Sequence, residues 1–431
     1  MASCKEGLGF WQATFVVVAS MLGPGILSTS GLIVQASPDM QWALLAWLAG
    51  GVQALLGALC YGALIARMPL SGGEGALLGR FYSPYLGFVV SLLSFILGFA
   101  AANAATAMAL EAYFQSGAAH FSPDGVASAL PPKGLAMGAL LLMTGVHCLR
   151  THLGMRFQTG LAIVKFSIIL LLALAGLWLA QPGAVVSTLS TPPGPLGSPN
   201  ADPFLWLIFT YSGWNAGIYA AREFARPEST VPRAMLFGCA LVMLLYLLLN
   251  LALAANLGRD ALAGQIPVAE LLVMHLFGSS AAAWFSLLIA LALLSSIGAI
   301  AFTGPRVLHA ALMPQAAEKG RAAPLRFVLL QGLVSVFFVL TGSFEQVLSM
   351  LGFFLGIFPV LSVAAIYFPR YWQEQPHSPW IRLLVAPLYL VFSLAVLLLS
   401  VRSSPLALTV SWGLLACALL LPFLPRREVS S

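Results

Sequence analysis

Charged residues are scarce in this chain of 431 residues. Asp, Glu, Lys and Arg together make up 8% of it and hydrophobic residues 60%, whereas a soluble domain carries about 25% charged residues. A water-facing surface cannot be built from so few charges, which excludes a soluble enzyme. Because apolar runs of about twenty residues recur and each can cross the hydrocarbon core as a helix, we predict an all-α polytopic membrane protein.

Familiar catalytic and metal-binding motifs are also missing. The sequence contains no GxSxG, P-loop or HExxH element, so an intramembrane hydrolase or an ATP-driven pump would lack its chemistry. The six histidines and five cysteines are scattered without the spacing of metal ligands or of a disulfide framework. The basic residues stand singly rather than in a stripe with aromatics, which argues against a nucleic-acid partner. We expect no cofactor and no metal.

Twelve apolar segments predict about twelve membrane-spanning helices within one membrane domain, residues 1–431. The predicted spans are residues 11–34, 42–66, 85–110, 134–149, 157–180, 203–221, 234–256, 279–303, 327–340, 347–368, 383–399 and 405–424. The first span lacks the basic start and cleavage site of a signal peptide, so we expect it to be retained. The polar segments 115–133 and 181–202 predict outer loops, and residues 268–277 predict a short helix at the outer interface.

The distribution of Lys and Arg predicts the orientation. Nearly all basic residues of the connections fall on one side of the predicted spans, and only Lys133, Arg259 and Arg402 fall on the other. Positively charged loops resist translocation. We therefore expect a multi-pass protein of the cell membrane, inner or plasma, with both termini in the cytoplasm and the bilayer as its surroundings.

Two of the spans are interrupted near their middle. The first contains Gly23-Pro24-Gly25-Ile26, and the sixth contains Tyr211-Ser212-Gly213-Trp214-Asn215-Ala216-Gly217. Interrupted backbone at membrane depth survives only where it lines a cavity or is buried in protein. Two interruptions five spans apart predict a transporter with a five-plus-five inverted repeat, at about 11–180 and 203–368, two additional helices at about 383–424, and a site near the bilayer midplane. The alternative is that these residues only kink helices or pack them closely.

Unwound backbone offers a specific chemistry. It frees amide donors and carbonyl acceptors, and the N-terminus of a half-helix carries partial positive charge. A zwitterionic amino acid suits such a site, because its carboxylate can meet freed amides and its ammonium freed carbonyls. Movement of the solute would be driven by a gradient or by exchange.

These motifs resemble those of the amino acid-polyamine-organocation transporters, and within that group the L-type and related amino acid permeases. Gly23-Pro24-Gly25-Ile26 is similar to the family's Gly-Ser-Gly-Ile motif, with Pro24 in place of Ser. The most specific resemblance is to the pattern Phe-Ala-Tyr-x-Gly-Trp-Asn followed by Glu-Glu-x-x-x-Pro-Glu-x-x-x-Pro-Arg-Ala; it is carried by Phe209-Thr210-Tyr211-Ser212-Gly213-Trp214-Asn215 and by Glu223, Pro227, Glu228, Pro232, Arg233 and Ala234. Arg222 stands in place of the pair's first Glu. Weaker similarity lies at residues 69–73, 294–296 and 305–308.

The resemblance implies a set of substrate-binding residues. The α-carboxylate of an amino acid would meet the backbone amides of Gly23, Gly25 and Ile26, and its ammonium would meet carbonyls near Ile26 and Phe209. The rings of Phe209 and Trp214 would gate or line the side-chain pocket. The rest of the interrupted sixth span belongs to the same predicted site: Ser212, Gly213 and Asn215. Packing within the helix bundle is the alternative for both aromatic rings.

Lys165 lies inside the fifth predicted span, where an ammonium is costly unless it is paired or neutralised. In sodium-independent members of the family, a lysine here takes the place of a sodium ion and braces the first helix against the eighth. Lys165, with Ser295 and Ser296 as partners, matches that coupling role, which implies proton coupling or exchange. The alternative is that Lys165 extends to the cytoplasmic interface.

Other interpretations stay open. A permease for an amine, a polyamine or a nucleobase shares the predicted fold, although neither interruption holds the carboxylate that a polyamine needs. A sensor or a channel is the alternative from another class. Asn103 and Thr106 lie on one face of the third span, where packing is favoured over substrate contact. Glu111 and Glu345 are predicted at the outer interface, with an outer proton acceptor as the alternative for Glu111. The sequence predicts no oligomeric state.

Overall fold

A computed structural model describes residues 9–66, 73–121, 131–149, 155–195, 202–219, 221, 224–313, 323–368 and 379–403, with isolated positions at 409, 413 and 416. These residues are almost entirely helical. In chain order the α-helices are α1 (Phe10–Met21), α2 (Gly25–Ser28), α3 (Ser30–Ala36), α4 (Met40–Ile65), α5 (Gly73–Phe81), α6 (Pro84–Leu93), α7 (Ala102–Phe121), α8 (Gly134–Cys148), α9 (Met155–Trp178), α10 (Ala184–Ser190), α11 (Asp202–Thr210), α12 (Pro227–Asn256), α13 (Arg259–Leu262), α14 (Val268–Phe277), α15 (Ser279–Leu312), α16 (Leu325–Thr341), α17 (Phe344–Ala364) and α18 (Ala386–Ser403). Wider or tighter helical turns occupy Ser94–Ala101, Ala216–Ile218, Ala365–Tyr367 and Ile381–Val385.

Within the described residues, 7 helical segments are long and apolar enough to cross a membrane. They are Phe10–Ser28, Met40–Ile65, Pro84–Phe121, Pro227–Asn256, Ser279–Leu312, Phe344–Tyr367 and Ile381–Ser400. Shorter apolar helices are Gly134–Cys148, Ala162–Trp178, Val268–Phe277 and Leu325–Thr341. The predicted all-α polytopic class is confirmed. The count of twelve stays a prediction, and the last predicted span, 405–424, falls outside the described residues except for the isolated positions.

Some predicted boundaries were wrong. The third span, predicted to end at residue 110, continues to Phe121, because Ser116 and His120 in its last turns bind Glu270 of α14. The seventh, predicted to begin at residue 234, begins at Pro227, since proline at the first helical position needs no amide partner. The eighth continues past its predicted end to Leu312.

The interrupted helices lie inside the bundle. Helix α1 packs along α12, α11 packs along α17, and α7 packs along α15. We call the end that holds the start of α1 and the end of α4 the inner end, since it is the predicted cytoplasmic side, and the opposite end the outer end. At the outer end, α3 is held by the segment before α14: the Gly264 N–H donates to the Gly31 carbonyl at 3.0 Å, and Arg259 Nη2 donates to the Ser37 carbonyl at 2.9 Å.

Candidate functional site

The first span is interrupted where the sequence predicts it. Helix α1 ends at Met21, and Leu22 adopts φ −74 and ψ 58, the geometry of an inverse γ-turn. The Gly23 N–H closes this turn on the Met21 carbonyl at 2.7 Å. Pro24 has no N–H to donate, and a new helix starts at Gly25. Residues 22–24 therefore belong to neither helix, in the middle of a span.

This turn decides which backbone amides are free. Three backbone amides are predicted to receive a carboxylate, and the amide of Gly23 is already bonded to the Met21 carbonyl. Those of Gly25 and Ile26 open a helix and find no acceptor among the residues that the structure describes. The first amides of a helix have no partner within it. Two adjacent donors are thus available at the interruption.

The second interruption exposes carbonyls instead. Helix α11 ends at Thr210, and the Ser212 N–H donates to the Phe209 carbonyl at 2.9 Å. Gly213 adopts φ +95, a conformation that suits glycine. In the described part of the chain, the carbonyls of Ile208 and Thr210 receive no backbone donor, whereas the Phe209 carbonyl keeps one lone pair free.

The two interruptions lie directly against each other. A Cβ on Gly25 would come within 2.7 Å of the Thr210 Cα, and the Thr29 and Thr210 hydroxyls are 3.0 Å apart. A Cβ on Gly213 would come within 2.6 Å of the Ser20 carbonyl oxygen. Free amides of one interrupted helix and free carbonyls of the other are therefore brought into one region, as a site for a zwitterion requires.

Lys165 reaches the first interruption. Its ammonium donates to the Leu22 carbonyl at 3.2 Å and to Ser296 Oγ of α15 at 2.8 Å. The side chain is 6% exposed, so it points into the bundle and does not extend to the interface. Ser295, the other predicted partner, is half-buried one position earlier. Lys165 thus links the unwound segment of the first span to the eighth.

Two tyrosines that the sequence analysis missed hold further carbonyls of the first span. Tyr246 of α12 donates to the Met21 carbonyl at 2.6 Å, and Tyr113 of α7 donates to the Leu27 carbonyl at 2.7 Å. Both hydroxyls are supplied by distant helices, and no local motif marks either residue. The interrupted helix is therefore fixed from the third, fifth and seventh spans.

The predicted aromatic residues have different surroundings. Phe209 is buried one residue before the end of α11. Trp214 packs edge-on against Tyr61 of α4, with ring centroids 4.8 Å apart, and a Cβ on Gly57 would come within 2.9 Å of the Trp214 ring. The contacts of Trp214 are those of helix packing, the alternative that the sequence left open.

Asn215 binds a carboxylate that the sequence analysis missed. Its Nδ2 donates to Oε1 of Glu74 at 2.8 Å, and the Tyr61 hydroxyl donates to the same oxygen at 2.9 Å. We call Tyr61, Glu74 and Asn215 the inner cluster. Glu74 is 3% exposed; burial raises the pKa of its carboxyl from 4.5 to about 7, and the two hydrogen bonds oppose that rise. The available signal was its position directly after the Gly72-Gly73 pair.

The remaining candidates have structural contacts. Glu111 accepts the Lys133 and Ala136 N–H groups at 2.8 Å each, at the start of α8. Thr106 donates to the Ala102 carbonyl, whereas the buried amide oxygen of Asn103 has no partner among the residues that the structure describes. Glu345 is exposed. Across the described residues, no group of three His, Cys, Asp or Glu side chains is placed to hold a metal ion.

Comparison with known proteins assigns the chain to a family. A family model described as amino acid permease matches residues 8–421. The chain is 23% identical to the b(0,+)-type amino acid transporter 1 of Mus musculus over 97% of this chain and 86% of that protein. It is 24% identical to the Asc-type amino acid transporter 1 of Mus musculus, over 93% of this chain and 78% of that one. It is 24% identical to the large neutral amino acids transporter small subunit 2 of Rattus norvegicus, over 93% and 77%. With the match extending over nearly its whole length, the chain belongs to the amino acid permease family.

Proposed function

We propose that this protein is a secondary active permease that carries an amino acid across the cell membrane, with both termini in the cytoplasm. The observation that supports it best is the juxtaposition of the two interruptions, which places the free amides of Gly25 and Ile26 beside free carbonyls at the end of α11. An α-carboxylate and an α-ammonium are the two groups that such a pair of sites accepts. The names of the relatives, all of them amino acid transporters, point to the same class of solute.

The protein works by alternating access around the two interruptions. Its halves, at about 11–180 and 203–368, form the inverted repeat, and the segment at about 383–424 supplies two additional helices. Rocking of one part of the bundle against the other exposes a midplane site to each side in turn. The amides of Gly25 and Ile26 and the carbonyls of residues 208–210 bind the substrate backbone, and α7 and α15 complete the walls.

Transport is independent of sodium and is driven by protons or by exchange. The Lys165 ammonium already supplies a positive charge between the Leu22 carbonyl and Ser296, where a sodium ion would meet the same type of oxygen ligands. A second cation there would be repelled.

A permease for another small solute is the second candidate. A polyamine or another amine would need carboxylates to pair its charge, and neither interruption contains Asp or Glu. A sensor or a channel is less consistent with the paired interruptions, which are typical of an inverted-repeat transporter.

Uptake into proteoliposomes tests the proposal. The purified protein is reconstituted and offered each labelled amino acid under an inward proton gradient, an inward sodium gradient, or internal unlabelled amino acid. We expect saturable uptake with protons or with exchange, unaffected by sodium. If no amino acid moves under any condition, the solute is of another class; if sodium alone drives uptake, the coupling proposal is wrong.

The variant Lys165→Ala tests the coupling role separately. Removing the ammonium leaves the Leu22 carbonyl and Ser296 without their donor, so we expect uptake to fall at least about tenfold or to acquire a new dependence on sodium. Lys133→Ala is the matched control, since this ammonium also binds backbone carbonyls, those of Leu340 and Gly342, at the outer end. Uptake and pH dependence in Lys165→Ala equal to those of the control would contradict the role.

A further inference from the structure

Glu74 is a buried carboxylate that the substrate site does not use. We propose that Glu74 binds and releases a proton at the inner end during transport, and that its ionised form holds the second interruption against α4 while its protonated form releases it. The inference rests on the proposed function, because it assigns the proton site of a permease whose energy comes from protons or exchange. It differs from the role of Lys165, which acts at the first interruption.

The inner cluster joins three parts of the chain through one oxygen atom. Tyr61 is in α4, Glu74 is in the first turn of α5, and Asn215 lies in the second interruption. Both donors end on Oε1 of Glu74, at 2.9 and 2.8 Å. Trp214, the residue directly before Asn215, packs against the Tyr61 ring and so contacts α4 as well. The segment after Gly213 is therefore attached to α4 through this carboxylate.

The charge of Glu74 has little to balance it. Three titratable side chains face Glu74. They are the phenols of Tyr61, of Tyr219 beyond the second interruption and of Tyr389 on α18. Two further helices, α6 and α17, pack on α5. Their titratable side chains are Tyr85 on α6 and Glu345 on α17, and Glu345 lies at the outer end. Among the described residues, no Lys or Arg forms an ion pair with Glu74.

These surroundings make the carboxyl easy to switch. Two neutral donors stabilise the ionised form, burial disfavours it, and the balance leaves the pKa of Glu74 at about 7. A protonated carboxyl accepts hydrogen bonds more weakly than a carboxylate does. Binding of one proton from the inner side therefore weakens both bonds of the inner cluster at once.

Weakening these bonds affects the substrate site. Asn215 lies two residues beyond Gly213, whose backbone rests on the Ser20 carbonyl, and Ser20 lies two residues before Leu22, the partner of Lys165. Release of Asn215 frees the backbone segment that packs against the first interruption. The position of the second interruption thereby depends on a proton.

The transport test compares the wild type with Glu74→Gln, which keeps the size of the side chain but cannot ionise. Uptake of an equimolar mixture of the twenty radiolabelled amino acids into proteoliposomes is measured while the pH on the side of the inner end is set between 6 and 8. Over this range the protonated fraction of a group with a pKa near 7 falls about tenfold. We expect uptake by the wild type to follow that titration and uptake by Glu74→Gln to be flat. Glu228→Gln is the matched control, an exposed glutamate at the same end, and is expected to behave as the wild type.

Tyr61→Phe separates a proton site from a merely structural contact. Losing one donor to the ionised carboxylate raises its pKa, so we expect the midpoint of the pH profile to move to higher pH. A contact that only supports the fold would change the amount of active protein and leave the midpoint in place. A midpoint unchanged in Tyr61→Phe, together with an unaltered profile in Glu74→Gln, would overturn the proposal.

A measurement without substrate keeps this inference distinct from the proposed function. Hydrogen exchange of the peptide that covers residues 211–219, corrected for the intrinsic effect of pH, reports release of the second interruption directly. We expect protection in the wild type to be greater at pH 8 than at pH 6, and to be independent of pH in Glu74→Gln. If the wild type takes up no amino acid, the proposed function fails and this exchange result alone decides the role of Glu74. Equal pH dependence of exchange in the two proteins would refute it.

Discussion

Gly25 and Gly138 are both glycines of apolar helices, but their surroundings are opposite. Gly25 lies against the backbone of Thr210, and a Cβ added to Gly25 would be 2.7 Å from the Thr210 Cα. A Cβ added to Gly138 would have nothing within 4 Å in the described part of the chain. A contact of the first kind cannot be relieved by a rotamer change, because the obstacle is backbone.

We therefore expect Gly25→Ala to force the two interruptions apart. Overpacking of this kind costs typically about 1–3 kcal/mol, and we expect a lower melting temperature and uptake reduced at least about tenfold. Gly138→Ala is the control and should be neutral or slightly stabilising, because alanine favours a helix. Thermal unfolding in detergent and uptake in proteoliposomes give the two readouts; wild-type uptake by Gly25→Ala would show that the contact is not needed.

Single residues were predictable where chemistry made them unusual. An ammonium inside an apolar span is costly, which singled out Lys165, and its bond to Ser296 agrees with the predicted pair of helices. Glu74 escaped notice because a carboxylate in a connection between spans looks ordinary until its burial is known. The contacts of Trp214 with Gly57 and Tyr61 depend on the relative rotation of two helices, which no local pattern specifies.

At the scale of elements, α8 begins on a carboxylate supplied by another helix. The two oxygens of Glu111, in α7, accept the N–H groups of Lys133 and Ala136, two of the amides that a helix start leaves free. A negative charge is also favoured at this end of a helix.

We expect Glu111→Ala to destabilise the protein by about 1–2 kcal/mol, the usual cost of losing an N-terminal cap. Glu345→Ala, an exposed glutamate in the first turn of another outer-end helix, serves as the control. Thermal unfolding of the two variants measures the difference. Glu111→Gln should leave the pH profile of uptake unchanged, and a shifted profile would instead support the outer proton acceptor that the sequence left open.

A second outer element, α14, is anchored by Glu270. This carboxylate accepts Ser116 Oγ at 2.7 Å and Ser286 Oγ at 2.6 Å, and it contacts His120 Nε2 at 2.9 Å. We expect Glu270→Gln to weaken these charge-assisted bonds and to speed hydrogen exchange of residues 258–277 while residues 40–65 stay protected. Unchanged exchange in 258–277 would show that apolar packing alone holds α14.

Helix lengths were predicted less well than helix positions. The apolar pattern located the spans, since length and hydropathy are sufficient for that. It could not extend the third span through Gln115 to Phe121, because polar side chains there face Glu270, a partner distant in the sequence. The predicted spans began after Pro227 and ended before Pro305, yet both prolines lie within helices, at the first turn of α12 and near the end of α15.

At the scale of the whole molecule, burial of Glu74 ties stability to pH. The pKa of this carboxyl is higher in the folded protein, about 7, than the 4.5 of an exposed glutamate. Between these values the folded state binds more protons than the unfolded state, so the free energy of unfolding falls as pH rises. The contribution is fully present below pH 4.5 and lost once pH passes about 7.

We expect the melting temperature of the wild type, relative to that of Glu74→Gln, to be highest near pH 5 and to decrease up to about pH 8, as the linkage requires. Thermal unfolding in detergent at several pH values measures it, and Glu228→Gln should follow the wild type. The same pH dependence in all three proteins would mean that Glu74 titrates as an exposed glutamate does.

The class of the molecule, the location of both interruptions and the family resemblance were all accessible from the sequence. Scarcity of charge and the length of the apolar runs are enough to require a membrane, and glycine and proline at mid-span are enough to locate the interruptions. The way in which the interruptions meet was not accessible, because it depends on pairs such as Gly25 with Thr210, which are 185 positions apart in the chain.

The close approach of the two interruptions also bears on leakage. Backbone touches backbone on both sides, Gly25 on Thr210 and Gly213 on Ser20, with no flexible side chain between them to absorb an independent movement. A movement of one half-helix towards the other must therefore displace it as well. If the protein works by the alternating access proposed above, we expect opening on one face of the membrane to be accompanied by closure on the opposite face, so that the ion gradients of the cell are not short-circuited during transport.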